Sequence, residues 1–212
     1  MTQKSDFSSL PSQASSPLKI AIIGRIGSGK TALGTYLSGR GFPVLNLDAE
    51  VNELYKKNAV LRKQIGETFG VGVIAGGDVN HAALAKIVFS NIKELERLET
   101  LVYPLLFSEV REKIRNISRL RPLLRAIFIE GAVLNKCPKF LKELSRVWVV
   151  DAAEDVRRKR LKQRGLSAKD VNLRMELQEN YPIPEGLPVL TIQNDGTLND
   201  LQRETEKILE SL

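Results

Sequence analysis

The sequence is poor in cysteine and histidine. Cys137 is its one cysteine, so no disulfide can form within the chain, and Cys137 with the one histidine, His81, cannot build a Cys/His zinc site. Long apolar runs are also missing: none approaches the roughly 18 residues of a membrane-spanning helix, and the first residues lack a secretory apolar core. We therefore expect a cytoplasmic protein without a membrane segment or a structural metal site.

Acidic residues are outnumbered by basic ones. The 212 residues include 32 Lys and Arg against 25 Asp and Glu, a formal net charge of +7. This excess favours anionic partners, but it does not distinguish nucleic acid from anionic lipid or phosphorylated small molecules. A chain of this length can bury one sizeable core, as a single domain or a domain with an insertion.

Apolar runs predict a parallel α/β fold. Residues 1–17 are rich in Ser, Gln and Pro and are predicted to be a disordered tail. Short runs of the kind found in buried strands then follow at 18–23, 42–47, 123–129, 146–150 and 189–193. The first two flank a predicted helix that starts at Lys30, which makes a βαβ unit with a right-handed crossover. We expect a five-stranded parallel sheet.

The segment 49–115 has helical periodicity and no convincing strand. Leucine and valine recur in it at the spacing of an amphipathic helix from Leu95 to Leu106, and Pro104 is expected to kink or break that helix. The segment is too long for an ordinary crossover between strands. It is therefore interpreted as a helical insertion on the substrate side.

A glycine-rich loop follows the first predicted strand and opens a helix. It matches G-x-x-x-x-G-K-[ST] at every fixed position, with the residues Gly24, Arg25, Ile26, Gly27, Ser28, Gly29, Lys30 and Thr31. In such a P-loop, backbone N–H groups wrap the phosphates, the lysine reaches the β and γ phosphates, and the hydroxyl faces Mg²⁺. A chance match is expected on the order of once in a hundred chains.

The rest of the chain narrows the class of P-loop protein. Guanine recognition would call for N-K-x-D, whereas the only Asn-Lys, at 135–136, continues with Cys137 and Pro138. A motor or helicase needs a longer chain and an acidic pair after a strand. Only Glu130 follows the third predicted strand directly.

Asp48 follows the second predicted strand, at the sheet edge where ligands bind in open parallel sheets. Its carboxylate is placed to orient an attacking hydroxyl or to accept its proton. The alternative is that Asp48 only caps a helix that begins at Ala49. Position alone does not choose between these two roles.

Basic residues crowd the predicted helix after the fourth strand. Arg160 and Arg164, four residues apart, share a face and can both point at a polyphosphate. The others are expected on a solvated face; they are Arg157, Arg158, Lys159 and Lys162. Arg174 and Gln178 lie in a second helical stretch, 168–178. In a phosphotransferase such arginines belong on an element that closes over ATP.

Taken together, these motifs resemble those of the dephospho-CoA kinases, from about residue 20 to 209. In chain order the shared motifs are G-R-I-G-S-G-K-T, V-L-N-L-D ending in Asp48, I-G-E-T-F-G at 65–70, L-x-x-x-V-F at 84–89, Tyr103-Pro104, I-E-G-A-V-L at 129–134, R-L-x-x-R at 160–164, R-M-x-x-Q at 174–178 and N-D-G at 194–196. Their order and spacing make the resemblance specific.

The resemblance implies a P-loop kinase of the nucleoside-monophosphate-kinase type, with a three-layer α/β/α fold. Its core would be 18–48 and 116–212, with a helical lid at about 165–182 and a CoA-binding insertion at 49–115. Members of the family transfer the γ-phosphoryl group of ATP to the ribose 3′-hydroxyl of dephospho-CoA, with Mg²⁺, and so complete coenzyme A synthesis. We expect the same reaction from this chain.

The resemblance also implies roles for single residues. Lys30, Asp48 and Arg160 would be catalytic, and Thr31 would be the metal ligand. The expected ATP-binding residues are Gly24, Ile26, Gly27, Ser28, Gly29, Lys30, Thr31, Arg164, Arg174 and Asn194. The expected acceptor-binding residues are Asp48, Tyr103, Pro104 and Glu130.

The chain departs from the family pattern at several positions. Asn46 stands where an acidic residue is common, Tyr103 where histidine is common, and His81 where arginine is common. Tyr103 can donate a hydrogen bond as histidine does, but it cannot become cationic near neutral pH. The segment 179–182 lacks the usual basic residues. His81 is expected on a helix surface.

Two other functions remain open from the sequence. One is a P-loop kinase of another small acceptor, such as a nucleoside or nucleotide. The other is an inactive nucleotide-binding or nucleic-acid-binding protein. The basic residues gather beside the P-loop and predicted lid, without the exposed aromatic partners that nucleic acid favours. We therefore expect two polyanionic substrates, ATP and dephospho-CoA, and no nucleic acid.

Overall fold

The computed structural model describes residues 16–131, 133–134, 137–176, 178 and 183–212. Several features singled out in the sequence lie outside these residues: most of the predicted tail, the Asn-Lys pair at 135–136, and the segment 179–182 of the predicted lid. None of the helices in the described ranges combines the length and apolarity needed to cross a membrane.

Strands and helices alternate along most of the described chain. In order they are β1 (Leu18–Ile23), α1 (Lys30–Gly39), β2 (Val44–Asn46), α2 (Leu47–Lys57), α3 (Ala59–Phe69), a 3₁₀ turn (Val71–Val73), β3 (Ile74–Ala75), β4 (Asp78–Val79), α4 (His81–Val88), α5 (Ile92–Leu120), β5 (Ala126–Glu130), α6 (Pro138–Leu141), β6 (Arg146–Asp151), α7 (Glu154–Gln163), α8 (Ala168–Glu176), β7 (Val189–Gln193) and α9 (Leu198–Glu210).

The main sheet has five strands in the order β2-β5-β1-β6-β7, and every pairing is parallel. This confirms the predicted three-layer α/β/α fold. Two predicted strands differ in extent. The second is shorter because Leu47 already begins α2, and the third begins at Ala126 because Leu123 is 90% exposed.

Strand β1 is apolar on both faces because the sheet is covered on both sides. Ala21 and Ile23 belong to one buried cluster, which includes the helices of the insertion, while Ile20 and Ile22 belong to a second cluster with α1 and α9. Parallel sheets buried on both faces have continuous apolar strands. Because all five strands are parallel, their carboxyl ends lie at one edge of the sheet.

The insertion contains a short hairpin that the sequence analysis did not predict. Strands β3 and β4 pair antiparallel across Gly76 and Gly77, whose φ angles of 59° and 86° suit glycine. Each strand has two residues, which is too short to show an alternating pattern. Only the Gly-Gly turn signals it.

Pro104 was expected to kink or break its helix; the break is wrong, because α5 runs unbroken through Pro104. Because proline has no backbone N–H, the Thr100 carbonyl lacks its usual helical donor. Thr100 and Pro104 are both exposed, so water can satisfy that carbonyl. Buried side chains on the opposite face hold the helix to the core, among them Val102, Leu106 and Val110. The helix also continues to Leu120, past the predicted boundary at 115.

Helix α9 begins with a capping box. The Thr197 hydroxyl accepts from the Asp200 backbone N–H at 3.3 Å, and the Asp200 carboxylate accepts from the Thr197 N–H at 2.8 Å. We expect Thr197→Ala to lower the free energy of unfolding by about 1 kcal/mol in urea denaturation. Thr35→Ala, at an exposed site inside α1, is the control and should not lower the free energy of unfolding.

The same cap has a pH dependence. Hydrogen bonds from Thr197 and from Arg203 lower the pKa of Asp200 to about 2. Because the folded-state pKa lies below the ordinary value of about 4, the cap's contribution is complete above about pH 4 and is lost as the pH falls towards 2. The stability difference between wild type and Thr197→Ala should shrink over that interval.

Candidate active site

The P-loop joins β1 to α1 at the carboxyl edge of the sheet. Gly29 caps α1 with a φ of 109°, and Gly24 and Gly27 have φ angles of 150° and 80°. A Cβ on Gly29 would lie 2.1 Å from Asn194 Nδ2, and one on Gly24 would lie 2.1 Å from the Val150 carbonyl oxygen. The loop therefore needs glycine at both positions for its backbone angles and for its close packing.

Lys30 turns back into the loop. Its ammonium group donates to the carbonyls of Gly24 at 2.8 Å and Arg25 at 3.2 Å. Burial lowers the pKa of Lys30, and the negative charges of Glu130 and Asp48 act against that shift. The lysine is thus a partly desolvated cation between the P-loop backbone and two carboxylates.

Glu130 links the P-loop to β2. It is 5% exposed, and it accepts hydrogen bonds from the Thr31 hydroxyl at 2.8 Å and from Asn46 Nδ2 at 3.0 Å. Asn46 also caps α2, since its Oδ1 accepts from the Ala49 N–H at 2.9 Å. One asparagine therefore fixes both the helix that carries Asp48 and the carboxylate beside Thr31.

Asp48 lies in the first turn of α2 and is exposed. The suggestion that Asp48 caps this helix is wrong, because Asn46 is the capping residue. Within the described part of the chain, no hydrogen bond or ion pair holds the Asp48 carboxylate. It is free to meet a substrate hydroxyl, and it lies close enough to Lys30 to influence its pKa.

Arg160 lies against the P-loop backbone. Its guanidinium donates to the carbonyls of Ser28 at 3.3 Å and Gly27 at 3.5 Å, and to the Gly196 carbonyl at 3.2 Å. Asn194, which is 5% exposed, donates from Nδ2 to the Ser28 carbonyl at 2.6 Å and accepts from Arg160 at 3.5 Å. Both side chains brace the backbone of the P-loop.

The other arginines differ in exposure. Arg164 ends α7 and is exposed, and its positive charge contributes to the lowered pKa of Lys30. Arg174 is exposed on α8.

Arg157 was expected on a solvated face, which is wrong: it is 6% exposed, with Nε 3.1 Å from the Ala152 carbonyl oxygen. Gly27 of the P-loop packs closely against the Arg157 backbone, and the P-loop therefore covers this position of α7.

Tyr103 and Pro104 lie on α5, in the insertion. Tyr103 is half-buried with its ring 6.0 Å from that of Phe107, while Pro104 is exposed. Burial, with Glu99 close by, raises the pKa of Tyr103 well above its usual range, so the phenol stays protonated and can donate. His81 is exposed at the start of α4 beside Tyr55, as expected.

Two residues named in the sequence analysis were given no role in the site there. The first is Asn46, whose position before a helix with apolar periodicity was a usable capping signal. The second is Gln178, whose side-chain oxygen accepts from the Ile26 backbone N–H at 2.6 Å. Ile26 and Gln178 are far apart in the sequence, and no local pattern indicates that they are in contact.

The donor set suits Mg²⁺ held largely by substrate phosphates. In the ranges that the structure describes, no three His, Cys, Asp or Glu side chains are grouped to hold a metal ion. Mg²⁺ usually keeps several waters and takes one or two protein ligands beside phosphates. The Thr31 hydroxyl, already polarised by buried Glu130, is consistent with one such ligand.

Comparisons with known proteins agree on one family. The family model described as Dephospho-CoA kinase (CoaE) matches residues 18–200. A dephospho-CoA kinase of Thermus thermophilus is 30% identical over 202 residues, covering 94% of each chain. One of Wolinella succinogenes is 27% identical over 198 residues, covering 91% of this chain and 94% of the relative.

Solved structures share the fold. The crystal structure of TT1252 from Thermus thermophilus has a TM-score of 0.73 at 29% identity and covers 93% of this chain and 99% of its own. Dephospho-CoA kinase from Campylobacter jejuni has a TM-score of 0.65 at 19% identity, with 91% and 95% covered. The second match supports the fold alone.

Proposed function

The chain belongs to the dephospho-CoA kinase family, and from that premise we propose that the carboxyl edge of its sheet is the active site. The chain is an ATP-dependent kinase that phosphorylates dephospho-CoA to coenzyme A. The observation that carries the site assignment is the convergence of Lys30, Thr31 and Glu130 beside the free carboxylate of Asp48.

The P-loop would hold the ATP phosphates. Its amides and the start of α1 provide donors and a positive helix end for an anion. Lys30 exchanges its bonds to the Gly24 and Arg25 carbonyls for phosphate oxygens, and it follows the γ-phosphoryl group as charge develops. The exposed Arg164 and Arg174 supply further positive charge from α7 and α8.

Asp48 would act on the acceptor. It accepts the proton of the ribose 3′-hydroxyl while that oxygen forms a bond to the γ-phosphorus of ATP and the bond to the β-phosphate oxygen breaks. The products are coenzyme A and ADP. Because the Asp48 carboxylate is exposed and has no partner in the described residues, it can approach the hydroxyl without first breaking a bond.

Mg²⁺ would be held by the Thr31 hydroxyl together with phosphate oxygens of ATP, with Glu130 orienting that hydroxyl. The ion neutralises phosphate charge when it is bound. Glu130 accepts from both Thr31 and Asn46, so its carboxylate cannot rotate freely.

We assign acceptor binding to the helical insertion, with Tyr103 as a donor in place of the histidine common in the family. Elements α2 to α5 pack into one buried cluster with one face of the sheet. The kinase core would be 18–48 and 116–212, and the lid about 165–182. With Lys30, Arg160 and Arg164 gathered at one edge, we propose small polyanionic substrates, no nucleic acid, and a cytoplasmic location.

Mass spectrometry tests this function directly. Purified protein is mixed with ATP, Mg²⁺ and dephospho-CoA, and we expect a product heavier by one phosphoryl group, together with ADP. A coupled assay of ADP release across nucleosides and nucleotides is run in parallel. Release with one of those acceptors and none with dephospho-CoA would select a different acceptor instead.

Arg160 gives a second test of the site. We expect Arg160→Met to weaken ATP binding about tenfold in titration calorimetry, because the loop loses charged hydrogen bonds at Gly27 and Ser28 and its tie to the Gly196 carbonyl. Lys162→Met is the control, an exposed cation on the same helix. Equal affinities of the two variants would contradict the bracing role.

A further inference from the structure

The lid segment and the P-loop meet at Ile26. The Ile26 backbone N–H donates to Gln178 Oε1 at 2.6 Å. Its side chain packs into a separate apolar cluster between α7 and α8, formed by Leu161, Val171 and Met175. The third residue of the P-loop is therefore tied to the lid by a polar contact and by an apolar one.

Helices α7 and α8 are themselves linked. The chain turns between them at Gly165, which has a φ of 84°. Arg158 on α7 donates to Asn172 Oδ1 on α8 at 2.5 Å. Gly27 lies directly on the Arg157 backbone of α7. A displacement of α8 would therefore be felt at the phosphate loop.

We propose that Gln178 is a positioning residue that acts through Ile26 and holds the lid segment on the P-loop. Arg174 lies four residues before Gln178 and next to Met175, which is buried in the cluster that receives Ile26. Holding Gln178 and Met175 in place also fixes the last turn of α8, which carries the exposed Arg174. Only the catalytic consequence of this contact rests on the proposed function.

Loss of the contact has two consequences. First, the Ile26 N–H becomes open to water, so its hydrogen exchange should speed up even without substrates. Second, a lid that closes less firmly excludes water less well, so ATP hydrolysis without acceptor should rise relative to phosphoryl transfer. A side chain that served only local stability would not change that ratio.

Three variants separate the possibilities. Gln178→Leu removes the acceptor oxygen at nearly the same size, and Gln178→Glu keeps an acceptor oxygen at the same reach. Gln163→Leu makes the matched change at an exposed glutamine at the end of α7. Each variant is studied as the full chain, with its melting temperature measured beside wild type.

The first measurement is amide exchange at Ile26 in the nucleotide-free protein. We expect exchange about tenfold faster in Gln178→Leu, and near the wild-type rate in both Gln178→Glu and Gln163→Leu. An Ile26 exchange rate that does not change in Gln178→Leu overturns the proposal, whatever the protein's activity proves to be.

The second measurement is kinetic. In Gln178→Leu we expect kcat/KM for ATP to fall about three- to tenfold, and the ratio of ATP hydrolysis to transfer to rise by a similar factor. Ile26→Ala should produce the same signature, and the double variant should show less than the sum of the two effects. Full additivity, or a ratio equal to that of Gln163→Leu, contradicts a shared action through the lid.

Discussion

Asp48→Asn is expected to lower kcat for coenzyme A formation by about a hundredfold to ten-thousandfold, with little change in KM for ATP. Asparagine has nearly the same shape and can still hydrogen-bond the ribose hydroxyl, but it cannot accept its proton. The P-loop contacts of Lys30 and Thr31 do not involve Asp48, so nucleotide binding should persist.

The fold should not suffer from this change. Asp48 is exposed, and no hydrogen bond or ion pair holds its carboxylate in the described part of the chain. Its remaining structural effect is that of an acid in the first turn of a helix, worth about 0.3–1 kcal/mol. Asp155→Asn is a matched control because Asp155 is exposed at the same second position of α7. Retention of the full rate in Asp48→Asn would refute its role as the base.

Most of the sheet could be predicted from the sequence because its central strands are buried on both faces. Runs such as 18–23 and 146–150 are mainly apolar, and the structure has strands at those residues. Strand ends were less certain, since Leu47 is apolar and completely buried yet begins a helix. A capping bond by Asn46 and the shape of the core decide where that strand ends.

Pro104 shows how packing can override a local preference. The sequence predicts a kink or a break there, but the helix does not break, because one missing donor weighs little against a helix of 29 residues with a buried face. The hairpin at Gly76 and Gly77 illustrates the reverse case. Its strands are too short to show a sequence pattern. They form because Val73 and Val79 are buried among the helices of the insertion.

In the candidate site, too, local structure could be predicted and contacts between distant segments could not. Residues of the P-loop motif lie where the spacing requires, because the loop conformation is set locally by its glycines. Contacts between distant segments could not be predicted: Arg160 on the loop carbonyls, Asn194 on Ser28, and Gln178 on Ile26. Each joins residues more than a hundred positions apart, and local periodicity carries no information about such pairs.

Asn46 shows how a departure from the family pattern is accommodated. An acidic residue is common at this position, and here it would face the buried carboxylate of Glu130 across 3.0 Å. Asparagine instead donates to Glu130 while its oxygen caps α2. The amide thus leaves Glu130 as the one carboxylate bonded to Thr31, and it avoids placing two like charges in contact.

Lys30→Met is expected to have the second large effect, a loss of about a hundredfold to a thousandfold in kcat/KM for ATP. Methionine fills similar space but removes the cation that meets the phosphates and the developing charge. Stability should change by no more than about 1 kcal/mol. Burial lowers the pKa of Lys30, and the negative charges of Glu130 and Asp48 offset only part of that shift.

Steady-state kinetics, ATP titration and urea denaturation on the same preparations separate these effects. Lys159→Met is the control because Lys159 is an exposed cation on α7. If Lys30→Met lost activity only in proportion to lost folded protein, the lysine would be a structural part of the loop. If it folded normally and kept the wild-type kcat/KM, the assignment of this loop as the phosphate site would be wrong. A folded variant that binds ATP weakly and transfers almost no phosphate is the outcome that the half-buried, carboxylate-flanked lysine predicts.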